Sequence, residues 1–474
     1  MAPAALWQGR ERLAHIGGRA VVSPARDAAW RVLLRLGTGD GRLDESLAGI
    51  PELEELGPRD RGLANELITG TVKRRISVDA VLGAFTKASL ESTAPDVLEA
   101  LRLAAFQMLF LDRVPAHAAV DDAVALLAFK GKRVQGFANA VLRQVATGGH
   151  ATFTDLARGG GQQAWSIRHS CPRWLVRLLR IELGDAAAAR FFEAANAAPE
   201  RCARVNTLKG TAAAAAEALA ADGFATSAVP GLPDALIYSG PALERSAPFR
   251  AGLVTPQSRG SQLTGLVAAG GVAGGVGGQS PRVLDLCAAP GIKTGHLAAR
   301  LAGVRVTALD LDPARLAALG DNLTRLGVGG VEVVQGDALE LPEAYGAVFG
   351  AVLLDAPCSG LGTLGSRPDL RWRRSLSDVA RMADLQRRLI AEAGRCVRLG
   401  GTLTYAVCTL PKAETVGVVE ALLEDGGWSA DDLGETWPEM AHPDSHSALL
   451  VLPPDHGASG FFIARLRRAA TPRQ

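Results

Sequence analysis

The sequence predicts an α/β protein. A Rossmann-like, mostly parallel sheet is expected over residues 253–468, preceded by an all-helical segment over 24–146 and a small α/β insert over 165–252. Three observations carry this. After Val283, short apolar runs ("RVLDLCA", "RVTALDLD", "VEVVQGD", "AVLLDAP", "GTLTYAVC") alternate with segments of helical spacing, and strands that alternate with helices form parallel sheets covered on both faces. From Pro24 to Ala146 the apolar residues follow helical spacing instead. Between the two regions lies "TGGHATFTDLARGGGQQ", whose glycines and small polar residues suggest a linker over 147–164.

Residues 1–23 are read as a loose extension without the long apolar core of a leader peptide. "ARDAAWRVLLRL" then places Ala28, Val32, Leu33 and Leu36 near one helical face. Asp60 and Asp96 are expected near the starts of two further helices. In the insert, "RCARVNTLKG" and "ALIYSG" read as strands around an Ala-rich helix over 211–221. "LVAAGGVAGGVGGQS", 266–280, holds six glycines and reads as a flexible connector.

Composition bounds the function. Hydrophobic content of 48% supports a sizeable core, and a net charge of +2 excludes a highly charged disordered chain. Near-neutral charge leaves a nucleic-acid partner open, since a local basic face decides that. The six cysteines include no CxxC pair, so neither a disulfide framework nor a metal site is expected, and a reducing cytoplasm fits. With no long run of large apolar residues, no membrane span is expected.

The chemistry concentrates at predicted strand ends, where open parallel sheets bind ligands. "VLDLCAAPGIKTGHLAARL" reads as strand, tight turn and helix: Gly291 permits close backbone approach, and the helix start offers free N–H groups. Asp310 follows Gly291 by 19 residues, the spacing at which an acid accepts both ribose hydroxyls. Asp337 is placed to accept from an adenine amino group, and Asp355 ends the fourth strand. One such acid would fit a helix cap equally well; three at successive strand ends favour an adenosyl cofactor. The turn reads AAPGIK rather than GxGxxG, which disfavours a pyrophosphate. Cys358 and Cys408 lie just beyond two strand ends. Cys171, Cys202 and Cys396 read as small buried hydrophobes, and Cys287 as a packing residue in the cofactor turn.

"LDLCAAPGIKTGHLA", "LLDAPCSGLGT", "RPDLRW" and "YAVCTLP", in this order, resemble the RNA 5-methylcytosine methyltransferases of the Sun/Fmu kind. "GTVKRRISVDAVL", "LRLAAFQMLFLDRVPAHAAVDDAV" and "FANAVLR" resemble the NusB-like domain of that family, and the likeness spans roughly 24–468. The resemblance implies a class I methyltransferase sheet, S-adenosyl-L-methionine as cofactor, and 16S rRNA as substrate. It implies that Cys408 is the nucleophile, Cys358 the residue that releases the covalent adduct, and Asp355 and Lys293 its neighbours at the base. Cofactor contacts would come from Cys287, Ala288, Ala289, Pro290, Gly291, Ile292, Lys293, Asp310, Asp337 and Asp355. The sequence departs from the family pattern at Ile292, Thr409, Thr415 and Ser258.

Residues 367–398 carry nine arginines against four acids. Arg367, Arg371, Trp372 and Arg373 are expected to contact RNA through phosphate forks and stacking. Lys73, Arg74, Arg75, Lys130, Lys132 and Arg133 would extend a basic face. The expected protein is a monomeric cytoplasmic RNA (cytosine-5)-methyltransferase with no membrane or metal partner. The same reaction on tRNA, and a non-catalytic RNA-binding or antitermination factor, remain open alternatives.

Overall fold

A computed structural model describes residues 22–37, 43, 51–272, 281–301, 303–457 and 459–470. The expected extension up to residue 21 and the connector residues 273–280 lie outside them. The chain divides into two compact units, one ending at Arg173 and one beginning at Trp174.

The first unit is helical throughout its described residues. Its helices Pro58–Lys73 and Pro95–Phe110 each begin with proline, whose missing N–H costs nothing there. Asp60 and Asp96 therefore sit inside the first turn, favourably placed at the positive end of the helix dipole. The expected linker is largely absent: residues 147–156 continue the helix Lys132–Leu156. Gly149 is buried in that helix, and a Cβ there would lie 3.1 Å from Leu109 Cδ2. Its glycine thus serves close packing, not flexibility. The expected basic face is also reduced. Lys73 is buried, Arg75 pairs with Glu99 at 3.0 Å, and Lys130 pairs with Asp96 at 2.6 Å.

The second unit carries two sheets. Strands β1 (Cys202–Val205), β2 (Ala225–Val229), β3 (Leu232–Ser239) and β4 (Val254–Pro256) form an antiparallel sheet in the order β2-β3-β1-β4. The Ala-rich helix Ala212–Ala221, capped by Thr211, packs Ala215 and Leu219 onto it. Because β4 pairs with β1, residues 254–256 belong to this small sheet, which reaches past the insert expected to end at 252.

The larger sheet contains β5 (Arg282–Leu286), β6 (Arg305–Asp310), β7 (Val331–Gln335), β8 (Phe349–Asp355) and β9 (Val397–Val407), all parallel. The strands β10 (Trp428–Ala430), β11 (Ala441–His442), β12 (Ser445–Val451) and β13 (Phe461–Arg468) extend it in antiparallel fashion. The order is β7-β6-β5-β8-β9-β13-β12-β11. Side chains alternate between two covered faces, as the period of a strand requires. Val352 and Leu354 pack with Leu389 and Ile390 of the helix Leu376–Cys396. Ala351 and Leu353 pack with Ala268 and Leu297 on the opposite face. Fully burying such aliphatic side chains stabilises the fold by about 1.5–3 kcal/mol each. Ala268 lies in the helix Arg259–Gly270, which takes in 266–270 of the expected connector. Ser258 caps this helix by accepting from Ser261 N–H, a task that Asp performs equally well.

Chain order reverses between β5 and β8: from β5 the chain moves outward to β6 and β7, then returns to β8 on the other side. A crevice opens at the carboxyl end of such a switch point.

Candidate active site

The turn after β5 is the first wall of this crevice. Cys287 has a positive φ of 57°, and Ala288 N–H donates to Leu309 O at 3.0 Å. Gly291, at φ 87°, closes the turn by donating to Ala288 O at 2.8 Å. This left-handed conformation is one that a side chain would strain. The helix Ile292–Arg300 starts immediately after it. Ala288 and Ala289 are buried, Pro290 is exposed, and Ile292 and Lys293 are half-buried. Burial pushes the Cys287 thiol up to about 12, with the nearby acids adding to the effect. It is a packing thiol.

The three acids lie at the carboxyl ends of β6, β7 and β8, with β5 between β6 and β8, and they are in different states. Asp310 is almost wholly buried and accepts Ala289 N–H at 3.0 Å and Asp312 N–H at 3.2 Å. Arg315 lies 3.4 Å from the same carboxylate and also donates to Ala289 O. Asp310 thus ties the glycine turn to β6. Asp337, two residues past β7, is half-buried and accepts Leu339 N–H at 2.9 Å. Asp355 ends β8 and meets Lys293 Nζ at 2.5 Å. Burial alone would lower the Lys293 pKa, yet the Asp355 carboxylate outweighs it and raises it.

A fourth acid escaped the sequence reading. Asp285 lies inside β5, fully buried, with Oδ2 accepting the Thr294 hydroxyl at 2.6 Å and Oδ1 without a partner among the described residues. Burial pushes its carboxyl up to about 7, against the pull of that hydrogen bond. The signal was present: an acid in the middle of an apolar run must be buried.

Cys358 and Cys408 form the second wall. Asp355 and Ala406 are register partners in the parallel pair β8–β9, so the two chains leave the sheet side by side. The Cys358 and Cys408 sulfurs come within 3.4 Å, and both residues keep some solvent exposure. A sulfur pair this close shares its protons. The contact with Cys408 holds the Cys358 thiol well above its ordinary range, and burial and the Glu414 charge add to this. The same contact lowers Cys408; burial and Asp355 oppose that shift, while Lys293 and Arg367 assist it. One sulfur is therefore a thiol and the other leans towards thiolate, the nucleophilic form.

Beyond the cysteines, the arginine-rich segment divides. Arg367 and Arg373 are exposed and Trp372 is half-buried. Arg371 is fully buried and donates to Asn196 Oδ1 at 2.9 Å and Ala195 O at 3.3 Å. Its fork fastens the end of the helix Arg173–Asn196, so it cannot reach RNA and the expectation for this residue is corrected. Each of the four acids in the segment pairs with an arginine three or four residues on: Asp369 with Arg373, Asp378 with Arg381, Asp384 with Arg387, Glu392 with Arg395.

A parallel sheet with this strand order, a glycine turn after its first strand and acids along its carboxyl edge define a Rossmann-like methyltransferase. Known proteins carry the assignment further. Residues 278–467 match the family described as 16S rRNA methyltransferase RsmB/F, 23–147 match the NusB family, and 171–243 match the RsmF/B-like ferredoxin-like domain. "Probable ribosomal RNA small subunit methyltransferase B" of Bacillus subtilis is 30% identical over 94% of this chain and 98% of its own length. Ribosomal RNA small subunit methyltransferase B of Sodalis glossinidius is 34% identical over 88% and 92%. A solved methyltransferase homologue from Pyrococcus horikoshii is 26% identical, covers 66% of this chain and 100% of its own, and superposes with a TM-score of 0.55. The chain belongs to the RsmB/F family of 16S rRNA methyltransferases. Among the described residues no helix is long and apolar enough to cross a membrane, and no cluster of side chains could hold a metal ion.

Proposed function

We propose that this protein transfers a methyl group from S-adenosyl-L-methionine to C5 of a cytosine in 16S rRNA, in the cytoplasm, through a covalent adduct with Cys408. The contact of 3.4 Å between a thiol and a sulfur inclined to ionise, at the carboxyl edge of the sheet, carries this reading.

Cytosine C5 is a poor nucleophile. Addition of the Cys408 thiolate to C6 forms an S–C6 bond and moves the C5=C6 electron pair onto C5, which can then attack a methyl group. Bound S-adenosyl-L-methionine supplies that electrophilic methyl. A base then takes the C5 proton, the C5=C6 double bond re-forms, and the S–C6 bond breaks to return Cys408 as a thiolate, a release that Cys358 serves. Lys293 holds Asp355 beside the base, where the carboxylate can accept from the ring or its amino group. The donor set fits the cofactor: the rim acids Asp337 and Asp355 can accept hydrogen bonds, Asp310 shapes the turn, and the backbone of 287–292 with Lys293 lines the approach. Arg367, Trp372 and Arg373 would take phosphate and base contacts. The target base must be unpaired or flipped out to reach the thiolate.

Cys408→Ser is expected to abolish methyl transfer, and Cys358→Ser to accumulate a protein–RNA adduct that survives denaturing electrophoresis. Activity surviving in Cys408→Ser would overturn the assignment. Bisulfite sequencing of total RNA with and without the gene would identify the cytosine; a lost signal in tRNA instead of 16S rRNA would correct the substrate.

A further inference from the structure

Glu414 is fully buried, just beyond the Cys408 turn, and both of its carboxylate oxygens are used. Oε2 accepts Ser359 N–H at 2.8 Å and Gln386 Nε2 at 3.1 Å. Oε1 accepts the Ser359 hydroxyl at 2.5 Å and lies 3.4 Å from the Thr409 hydroxyl. The two hydroxyls are themselves 2.7 Å apart. The arrangement is directional: Thr409 O–H can donate to Ser359 Oγ, whose own proton goes to Glu414, so the chain of donors ends on the carboxylate, whose pKa burial raises against the pull of these bonds. Ser359 follows Cys358 and Thr409 follows Cys408. A buried carboxylate with this many donors is tolerated only because they are there, and a network of this kind rigidifies what it joins.

We infer that Glu414 is the positioning residue of the cysteine pair, clamping the segment that bears Cys358 to the turn that bears Cys408. This inference deepens the proposed reaction and rests on that reading of the two sulfurs. Other bonds brace the same segments. Gln386 Nε2 also donates to Pro357 O at 2.9 Å, Arg374 Nε to Ser359 O at 3.0 Å, and the Tyr405 hydroxyl to Glu414 O at 2.7 Å.

The clamp also sorts charge. Cys358 faces Cys408, the Glu414 carboxylate and the neutral Tyr405 phenol. Cys408 faces Asp355, Lys293 and Arg367. Negative charge beside Cys358 favours its protonated form, while the two cations favour ionisation of Cys408. Glu414 thereby helps to decide which sulfur attacks and which keeps its proton. Thr409, where the family more often has serine, retains the hydroxyl that the chain requires.

The test is Glu414→Gln, which keeps the shape and removes the charge. Methyl transfer should fall about 100-fold in kcat, the effect of misplacing a reacting group by roughly 1 Å, with KM for RNA and calorimetric affinity for S-adenosyl-L-methionine unchanged. Iodoacetamide labelling of free protein, mapped by mass spectrometry across pH, should show Cys358 becoming reactive at lower pH than in wild type. Glu414→Asp should restore the labelling profile in part. Ser359→Ala, which removes only the hydroxyl link, should lower kcat in the same direction and by less; it decides the case if the glutamine variant does not fold. Wild-type kcat together with a wild-type Cys358 profile in the folded glutamine or alanine variant would overturn the inference. Labelling needs neither RNA nor methyl donor, so it reads the clamp even if Cys408→Ser proves active and the proposed reaction fails.

Discussion

Replacing Gly362 with alanine would drive a methyl group into backbone from two directions. A Cβ at this position would lie 2.2 Å from Gly460 O, 2.8 Å from Gly460 C and 2.9 Å from Cys408 O. These are backbone atoms that no side-chain rotation can move aside. Gly362 N–H donates to Cys408 O at 3.1 Å, and Gly460 N–H donates to Gly362 O at 2.7 Å. Relieving the contact with Gly460 requires a shift of roughly 1 Å, since close-packed interiors leave no slack. The shift must pass to the Cys408 turn through the bond that joins them. Overpacking costs about 1–3 kcal/mol, and a weakened buried hydrogen bond adds about 1 kcal/mol. Tm should fall by several degrees, at about 2–4 °C per kcal/mol for a unit of this size. Methyl transfer should fall about 100-fold in kcat, with methyl-donor affinity unchanged. The assay is transfer of labelled methyl groups to RNA, run beside differential scanning calorimetry. Gly83→Ala is the control: nothing lies within 4 Å of its Cβ, in the helix Arg75–Phe85. It should leave activity alone and raise stability by up to about 1 kcal/mol. A Gly362→Ala protein with wild-type Tm and wild-type kcat would refute the account of how the two cysteine segments are locked together.

Four further substitutions probe other parts of the site. Burial pushes the Asp285 carboxyl up to about 7 in the folded chain, against an ordinary value of 3.8. The folded state holds its proton longer than the unfolded chain does, so this stability is present below about pH 4 and is lost as pH rises towards 7. Asp285→Asn should flatten the fall in stability between about pH 4 and pH 7 in thermal melts, and an unchanged slope would count against it. Lys293→Met should raise the pH at which Cys408 becomes a thiolate, because a cation leaves and Asp355 loses its partner. The acid limb of the activity profile should move to higher pH. Arg371→Met should destabilise by about 1–3 kcal/mol through unmet carbonyls without altering RNA affinity. Arg373→Ala should leave stability within about 0.5 kcal/mol and reduce the salt dependence of RNA binding by about one phosphate contact.

The parallel core was legible because its inner strands are buried on both faces and so read as continuous apolar runs such as "AVLLD" and "LTYAV". The acids at the strand ends were legible for the opposite reason: charge just beyond an apolar run has to sit at an edge. Other elements carried weaker signals. β2, "ATSAV", is a half-exposed edge strand with little apolar content. β12 and β13 follow no crossover helix, so the strand–helix rhythm that revealed their neighbours was missing. β9 begins at Val397, four residues before the run "GTLTYAVC" that revealed it; Gly401 is needed because a Cβ would lie 2.8 Å from Gly350 O in the adjoining strand. Local composition misled at 147–156, where the small residues of a helix contact resemble those of a loop. Arg371 and Arg373 cannot be told apart by type, since only the three-dimensional fold decides which guanidinium turns inward. Glu414 was not legible, because a carboxylate bridging two distant segments leaves no local pattern.

The pairing of β8 with β9 carries an implication for how this enzyme could be re-targeted. The spacing of the two sulfurs descends from a backbone ladder in which Asp355 sits opposite Ala406, and no surface loop takes part in setting that register. The segment that exposes Arg367 and Arg373 is spliced between the ladder's two strands without contributing a rung. If it takes RNA as proposed, trading it for another sequence would alter which nucleic acid is gripped, provided that the inward-facing Arg371, the Cys408-facing Arg367 and Arg374, which donates to Ser359 O, are retained.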